Sequence, residues 1–235
     1  YYYRVDSEKM GLYIPGYEIE YEVYLDTSYI HDIFEDNSII ATYNLDGDAT
    51  DLGSNYNGTW NGTEQYEDAT IRQAALFDNS SRIDTLTTDF GALSIWIKLD
   101  GNVSYSDNGR VIFGFGDNGT LMIGSFASTH SNETITHYDF NGYVVSSDIS
   151  FSKYHEWTHI VFQWTGSDYE IYVNKNKLSL IENTASSPQN KLIKLGNRTY
   201  NDRHFKGLMS QFRVFNRSLT QEEVNDLYLE GKRLS

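Results

Sequence analysis

Short apolar runs with a period of two, each closed by glycine, asparagine, aspartate or serine, fill most of this chain and leave almost no helical periodicity. Such runs read as strands with one buried face. Over Gly91–Leu99, Leu93, Ile95, Ile97 and Leu99 fall on one side, and Ser94, Trp96 and Lys98 on the other. Segments 109–115 and 120–126 flank Asp117-Asn118-Gly119, a strong hairpin signal. Segments 157–165 and 169–174 flank Gly166-Ser167-Asp168 in the same way, and 207–216 is the last strand. Nineteen tyrosines and only two prolines suit broad pleated sheets. The pattern predicts an antiparallel sandwich or barrel. One helix is predicted at the C-terminus, with Thr220 as N-cap, Glu223 as its capping-box partner, a Leu219/Val224 staple and Gly231 as the stop.

Two units are expected: an N-terminal extension, 1–37, and a main domain, 38–235. In the extension Tyr17, Ile19, Tyr21, Val23 and Leu25 alternate with Glu18, Glu20, Glu22 and Tyr24, which marks a strand with one apolar face. Such a strand could add to a neighbouring subunit's sheet edge and serve as an assembly strand. The chain opens Tyr1-Tyr2-Tyr3 without methionine, as expected of a processed form or a piece of a longer protein.

The formal charge of −15 and the pI near 4.7 exclude nucleic acid as a partner and disfavour an anionic membrane surface. No run approaches the ~20 apolar residues of a membrane-spanning helix. Sequons begin at Asn57, Asn61, Asn79, Asn102, Asn118, Asn132, Asn197 and Asn216, and there is no cysteine. Glycan acceptors without disulfides point to an extracellular, cell-surface or virion-surface protein, archaeal or viral rather than animal.

The order of the blocks resembles the laminin G-like/concanavalin A-like lectin-glucanase family. Ala41–Asp51, with Asn55-Tyr56-Asn57-Gly58-Thr59, resembles the opening strand and loop. Ala74–Asp78 and Leu93–Lys98 resemble the next two strands, and Trp157–Val161 with Glu170–Asn174 the family's most recognisable hairpin. Gly207–Leu219 with Glu222-Glu223-Val224 resembles the closing strand and helix. The resemblance implies an all-β antiparallel jelly roll with a short C-terminal helix. It also implies a calcium site in the first loop, where Asp46, Asp48, Asp51, Asn55 and Asn57 offer oxygen ligands. Relatives often add an acidic residue from the closing strand, where this chain has Ser210-Gln211.

Two motifs point to chemistry that their context denies. His155-Glu156-Trp157-Thr158-His159 has the zinc-protease spacing but runs into a strand, which sets the histidines about 13 Å apart. Gly114-Phe115-Gly116-Asp117-Asn118-Gly119 has dinucleotide-loop spacing, yet a strand follows where a helix must begin. Glu18, Glu20 and Glu22 share a strand face, but outside the main domain they read as a solvated face rather than a glycosidase pair.

These readings predict a non-catalytic surface protein, structural or adhesive, whose partners are copies of itself or other surface proteins. The alternative is a carbohydrate-binding module, with Trp60, Trp96, Tyr200 and His204 as ligand contacts and Trp164 and Arg203 as further candidates. A glycan-cleaving enzyme is the third reading.

Overall fold

A computed structural model describes residues 10–14, 17–21, 31–69, 72–78, 80–100, 110–116, 119–123, 134–139, 142–146, 155–184, 190–197 and 204–234. The chain divides into two compact units, Tyr1–Ile30 and His31–Ser235. In the first, β1 (Met10–Ile14) and β2 (Tyr17–Tyr21) form an antiparallel hairpin in which Leu12 faces Ile19 and Tyr13 faces Glu18. The predicted strand is therefore half of a hairpin whose first arm, Met10-Gly11-Leu12-Tyr13-Ile14, carries too little alternation to be read from sequence. Val23 and Leu25 lie outside the described residues.

The second unit opens with β3 (Ile39–Tyr43), β4 (Thr59–Asn61), β5 (Tyr66–Asp68), β6 (Gln73–Asp78), β7 (Arg82–Thr88) and β8 (Ala92–Leu99). It continues through β9 (Arg110–Phe115), β10 (Gly119–Ile123), β11 (Ile135–Asp139), β12 (Gly142–Ser146), β13 (Thr158–Trp164) and β14 (Tyr169–Val173). It closes with β15 (Asn176–Lys177), β16 (Leu180–Asn183), β17 (Lys191–Leu195), β18 (Lys206–Phe215) and the helix α1 (Gln221–Leu234). One sheet runs β16-β12-β11-β10-β9-β17-β7-β4, and the other β15-β14-β13-β8-β18-β6-β5, with β3 also on β18. Every pairing is antiparallel, and the expected strands hold within a few residues of their predicted ends.

Ten residues long, β18 serves three neighbours. Along one edge it pairs with β8 throughout, while on the other Lys206–Met209 pair with β6 and Phe212–Phe215 with β3. The switch falls at a bulge, where Gln211 adopts a left-handed backbone (φ 52°). Between the sheets lies the main core, with Tyr43, Phe77, Phe113, Phe162 and Phe212 among its fully enclosed side chains.

A second, smaller core lies on the outward side of β13, β8 and β18. There Val224 and Leu227 of α1, with Leu219 before it, pack on Ala92, Val161, Tyr172 and Phe215. The capping box forms as read: Glu223 N donates to Thr220 Oγ1 at 3.2 Å, and Thr220 N donates to Glu223 Oε2 at 2.7 Å. Gly231 does not stop the helix, which continues to Leu234. It is small for another reason: a Cβ there would stand 1.9 Å from Trp96 Nε1. Helix and sheet approach too closely at this point for a side chain.

Candidate functional site

Strand register builds one continuous lateral row on the outer face of the other sheet. Thr59 (β4) pairs with Asp84 (β7), Asp84 with Lys194 (β17), and Lys194 with Gly114 (β9). Gly114 then pairs with Thr120 (β10), Thr120 with Tyr138 (β11), and Tyr138 with Tyr143 (β12). Their sequence neighbours Ile83, Ile193, Phe113, Leu121 and Val144 all point into the core. By the period of two, the row faces away from it. Seven strands set ~4.8 Å apart make the row roughly 29 Å long.

Its chemistry changes along that length. At one end the Tyr138 and Tyr143 rings stand 5.0 Å apart between centroids, both half-buried. In the middle, Lys194, Gly114 and Thr120 are buried, and Lys194 Nζ donates to Gly116 O at 2.9 Å. At the far end Asp84 accepts from Arg82 Nε and Asn61 Nδ2, each at 2.8 Å, which fixes all three side chains. Beside the row runs an apolar shelf, Val111–Met122–Thr136–Val145, in which each residue has no exposed surface. The Thr120 hydroxyl is fully buried and has no hydrogen-bond partner. A buried orphan hydroxyl costs about 1–3 kcal/mol, and with no exposed surface Thr120 offers a ligand no direct contact.

The sequence-predicted ligands occupy other places. Trp96 is a correction: it stacks on both His159 (5.2 Å) and Tyr228 (5.6 Å) beneath α1, with 3% of its surface exposed. Trp60 is half-buried, faces inward against Phe77 and donates from Nε1 to Tyr66 Oη at 2.9 Å, so it closes the end of the sandwich. Trp164 packs on Tyr169 at 4.9 Å. His204 lies 3.0 Å from Asn197 Nδ2 through its Nδ1. Tyr200 and Arg203 fall outside the described residues.

The loop oxygens do not fit a calcium ion. Asp46 receives Arg72 Nη1 (3.1 Å) and Gln73 N (2.9 Å), and Asp48 receives the backbone and hydroxyl of Thr50. Asp51 accepts the backbone N–H groups of Thr42, Gly53 and Asn55, while Asn57 Oδ1 accepts that of Asp51. These oxygens are turned toward N–H donors, and the Asn55 side chain is exposed in the same turn. Among the described residues no three histidine, aspartate or glutamate side chains converge as a metal requires. The aspartates are turn-formers.

The sequons divide by burial. Asn57 and Asn216 are exposed, whereas Asn61 is half-buried with its Nδ2 on Asp84. Asn197 is 1% exposed, so its Nδ2 has no room for a sugar, which corrects the expectation there. Asn79, Asn102, Asn118 and Asn132 lie outside the described residues. His155 is exposed ahead of β13, while His159 is enclosed within it, so the zinc-protease spacing builds no metal site. The glycine motif is the β9–β10 connection, where Phe115 pairs with Gly119.

Among the described residues, two antiparallel sheets packed as a sandwich with a single C-terminal helix make a concanavalin A-like architecture. The chain belongs to the concanavalin A-like lectin/glucanases superfamily, whose Laminin_G_3 model matches residues 68–225. No curated protein matches it in sequence. Among solved structures it is similar to domain 4 of AbnA, an extracellular GH43 arabinanase from Geobacillus stearothermophilus, in complex with arabinotriose. That similarity has 22% identity and a TM-score of 0.64, covering 81% of this chain and 98% of that one. It is also similar to the receptor binding domain of botulinum neurotoxin D, with 19% identity and a TM-score of 0.60, over 84% of this chain and 53% of that one. The binding domain of Paraclostridial Mosquitocidal Protein 1 gives 17% identity and 0.60, over 81% and 52%. The chain thus spans about half the length of the two toxin domains. At these identities the likeness is one of fold.

Proposed function

We propose that this chain is a non-catalytic, adhesive glycan-binding domain displayed outside a cell or virion, and that the Thr59–Tyr143 row is its binding face. The row itself carries the reading. Tyrosine faces suit the C–H faces of sugars, and fixed carboxylate, guanidinium and amide groups suit their hydroxyls. The parts of the row that a saccharide would touch are its ends, the half-buried Tyr138 and Tyr143 at one and Thr59, Arg82 and Asp84 at the other. Asp84 is the row's one carboxylate, held by Arg82 and Asn61, and glycoside cleavage requires two facing the same bond. The arabinotriose bound by AbnA domain 4 makes linear pentose oligomers the first ligands to try. The location outside a cell rests on the exposed sequons Asn57 and Asn216 and on the extracellular origin of that enzyme. No helix among the described residues is long and apolar enough to cross a membrane.

Titration calorimetry with linear pentose and hexose oligosaccharides tests the reading. Saturable binding that Tyr143→Ala weakens at least ~5-fold, with the fold intact by circular dichroism, supports it. Binding that survives Tyr143→Ala and Arg82→Ala unchanged rejects the row, and an absence of binding to any saccharide rejects the function.

A further inference from the structure

The C-terminal half of α1 covers groups that seldom lie beneath a helix. Tyr228, Glu230 and Gly231 close over Trp96, His159 and Arg213, which project from β8, β13 and β18. Arg213, 2% exposed, makes a two-pronged ion pair with Glu230, one prong being Nη2 to Oε1 at 2.8 Å. His159 is 1% exposed. Its Nε2 meets Ser94 Oγ at 2.8 Å, whereas its Nδ1 finds no partner. Its ring centroid stands 5.2 Å from that of Trp96 and 6.3 Å from that of Tyr228.

The groups facing this imidazole from each packed element are mostly cationic or neutral. From β8 come Ser94 and Trp96, and from β18 Arg213. After β14, Asn174 Oδ1 accepts His159 N, and Lys175 Nζ sits 5.7 Å from the Tyr228 ring. The helix offers Tyr228, Glu230 and Lys232, the last 5.8 Å from the same ring. Among these groups Glu230 is the sole anion, and Arg213 engages both of its oxygens.

We propose that α1 is an acid-released latch, docked while His159 is neutral and lifted from the sheet when the imidazole takes up a proton. While α1 is docked, burial first and the Arg213 charge second hold the His159 pKa down to about 3. Once the helix leaves, the ring meets water and regains its ordinary value near 6.5. The released state then binds the extra proton, so docking weakens as pH falls below about 6.5 and goes on weakening to about 3. Between about pH 7 and pH 5 the docked-to-released ratio falls about 25-fold. Release uncovers Trp96, His159 and Arg213 together, an aromatic and cationic face on an otherwise acidic protein.

Amide hydrogen exchange at about pH 7 and pH 5, corrected for intrinsic rates, reads the latch directly. Protection over 221–234 is expected to drop about 25-fold while β8, β13 and β18 keep theirs. The drop should vanish in His159→Gln. Unchanged helix protection, a loss spread over both sheets, or a drop that persists in His159→Gln overturns the proposal. His137, also buried, lies in the inter-sheet core, so an acid effect on it would appear in the strands. Should His159→Gln fail to fold, an imidazole NMR titration of the natural chain decides. A His159 signal that titrates near pH 6.5 while α1 stays protected also overturns the latch.

Discussion

The two sheets turn similar alternating patterns outward and treat their outer faces in opposite ways. On the face formed by β13, β8 and β18, the helix encloses the outward residues; Arg213 pairs with Glu230 and Ser94 with His159 Nε2, while His159 Nδ1 has no partner. On the other face, polar residues from seven strands form a row in which the Thr120 hydroxyl is buried without a partner. Each face holds a buried polar atom without a partner, His159 Nδ1 under the helix and the Thr120 hydroxyl in the row. What differs is the cover: the first face is closed by a helix and an ion pair, and the second carries half-buried tyrosines and an Asp84–Arg82 pair.

Substitutions can break that contrast. The largest effect belongs under the helix: Arg213→Ala leaves the half-buried Glu230 unpaired beside a void and should cost about 3 kcal/mol in chemical denaturation. The double substitution Arg213→Met with Glu230→Leu removes both charges at once and should return the protein to within about 1 kcal/mol of the original. Neither change should alter saccharide affinity, and a large loss of affinity would mean that the two faces are coupled. Gly231→Ala comes next. On an exposed helix it would stabilise, but here the methyl group meets the Trp96 ring, so a loss of about 1–3 kcal/mol in thermal melts is expected. Thr220→Ala removes the N-cap and should cost about 1 kcal/mol by the same measurement. The smallest change in stability belongs to the row. Arg82→Ala breaks a half-exposed pair worth less than about 1 kcal/mol, yet should weaken saccharide binding severalfold. Equal losses of stability and affinity there would mark the row as structural.

The inward faces were legible because burial enforces alternation. Leu93, Ile95, Ile97 and Leu99 all lie in the main core, and the capping box at Thr220 needs only local chemistry. The outward faces were not. Ser94 and Trp96 read as a solvated side because nothing local reveals a helix arriving from more than a hundred residues away. The same blindness turned Gly231 into a stop signal, when its smallness answers a contact across space. The row was invisible for a different reason. Its members run from Thr59 to Lys194 in sequence and become neighbours only through register, and bulges in β7–β17 and β9–β10 shift that register. Tyr138 and Tyr143 come closest to a readable signal, as a pair flanking a short hairpin. Trp60 drew attention by residue type alone, while its placement between Phe77 and Tyr66 gives it a packing role.

The three-way partnership of β18 also sets an order on synthesis. Ser38 and Asn216 are joined by a backbone hydrogen bond of 2.8 Å, and among the described residues β3 has only β18 as a strand neighbour. On the ribosome, β3, β6 and β8 wait with open edges for a strand that is made more than a hundred residues after β8. Closing so distant a contact is slow, and the waiting edges are adhesive. Nascent chains of this protein should therefore depend on chaperone cover until β18 is released, and a stop codon shortly before Lys206 should yield aggregate rather than a smaller domain.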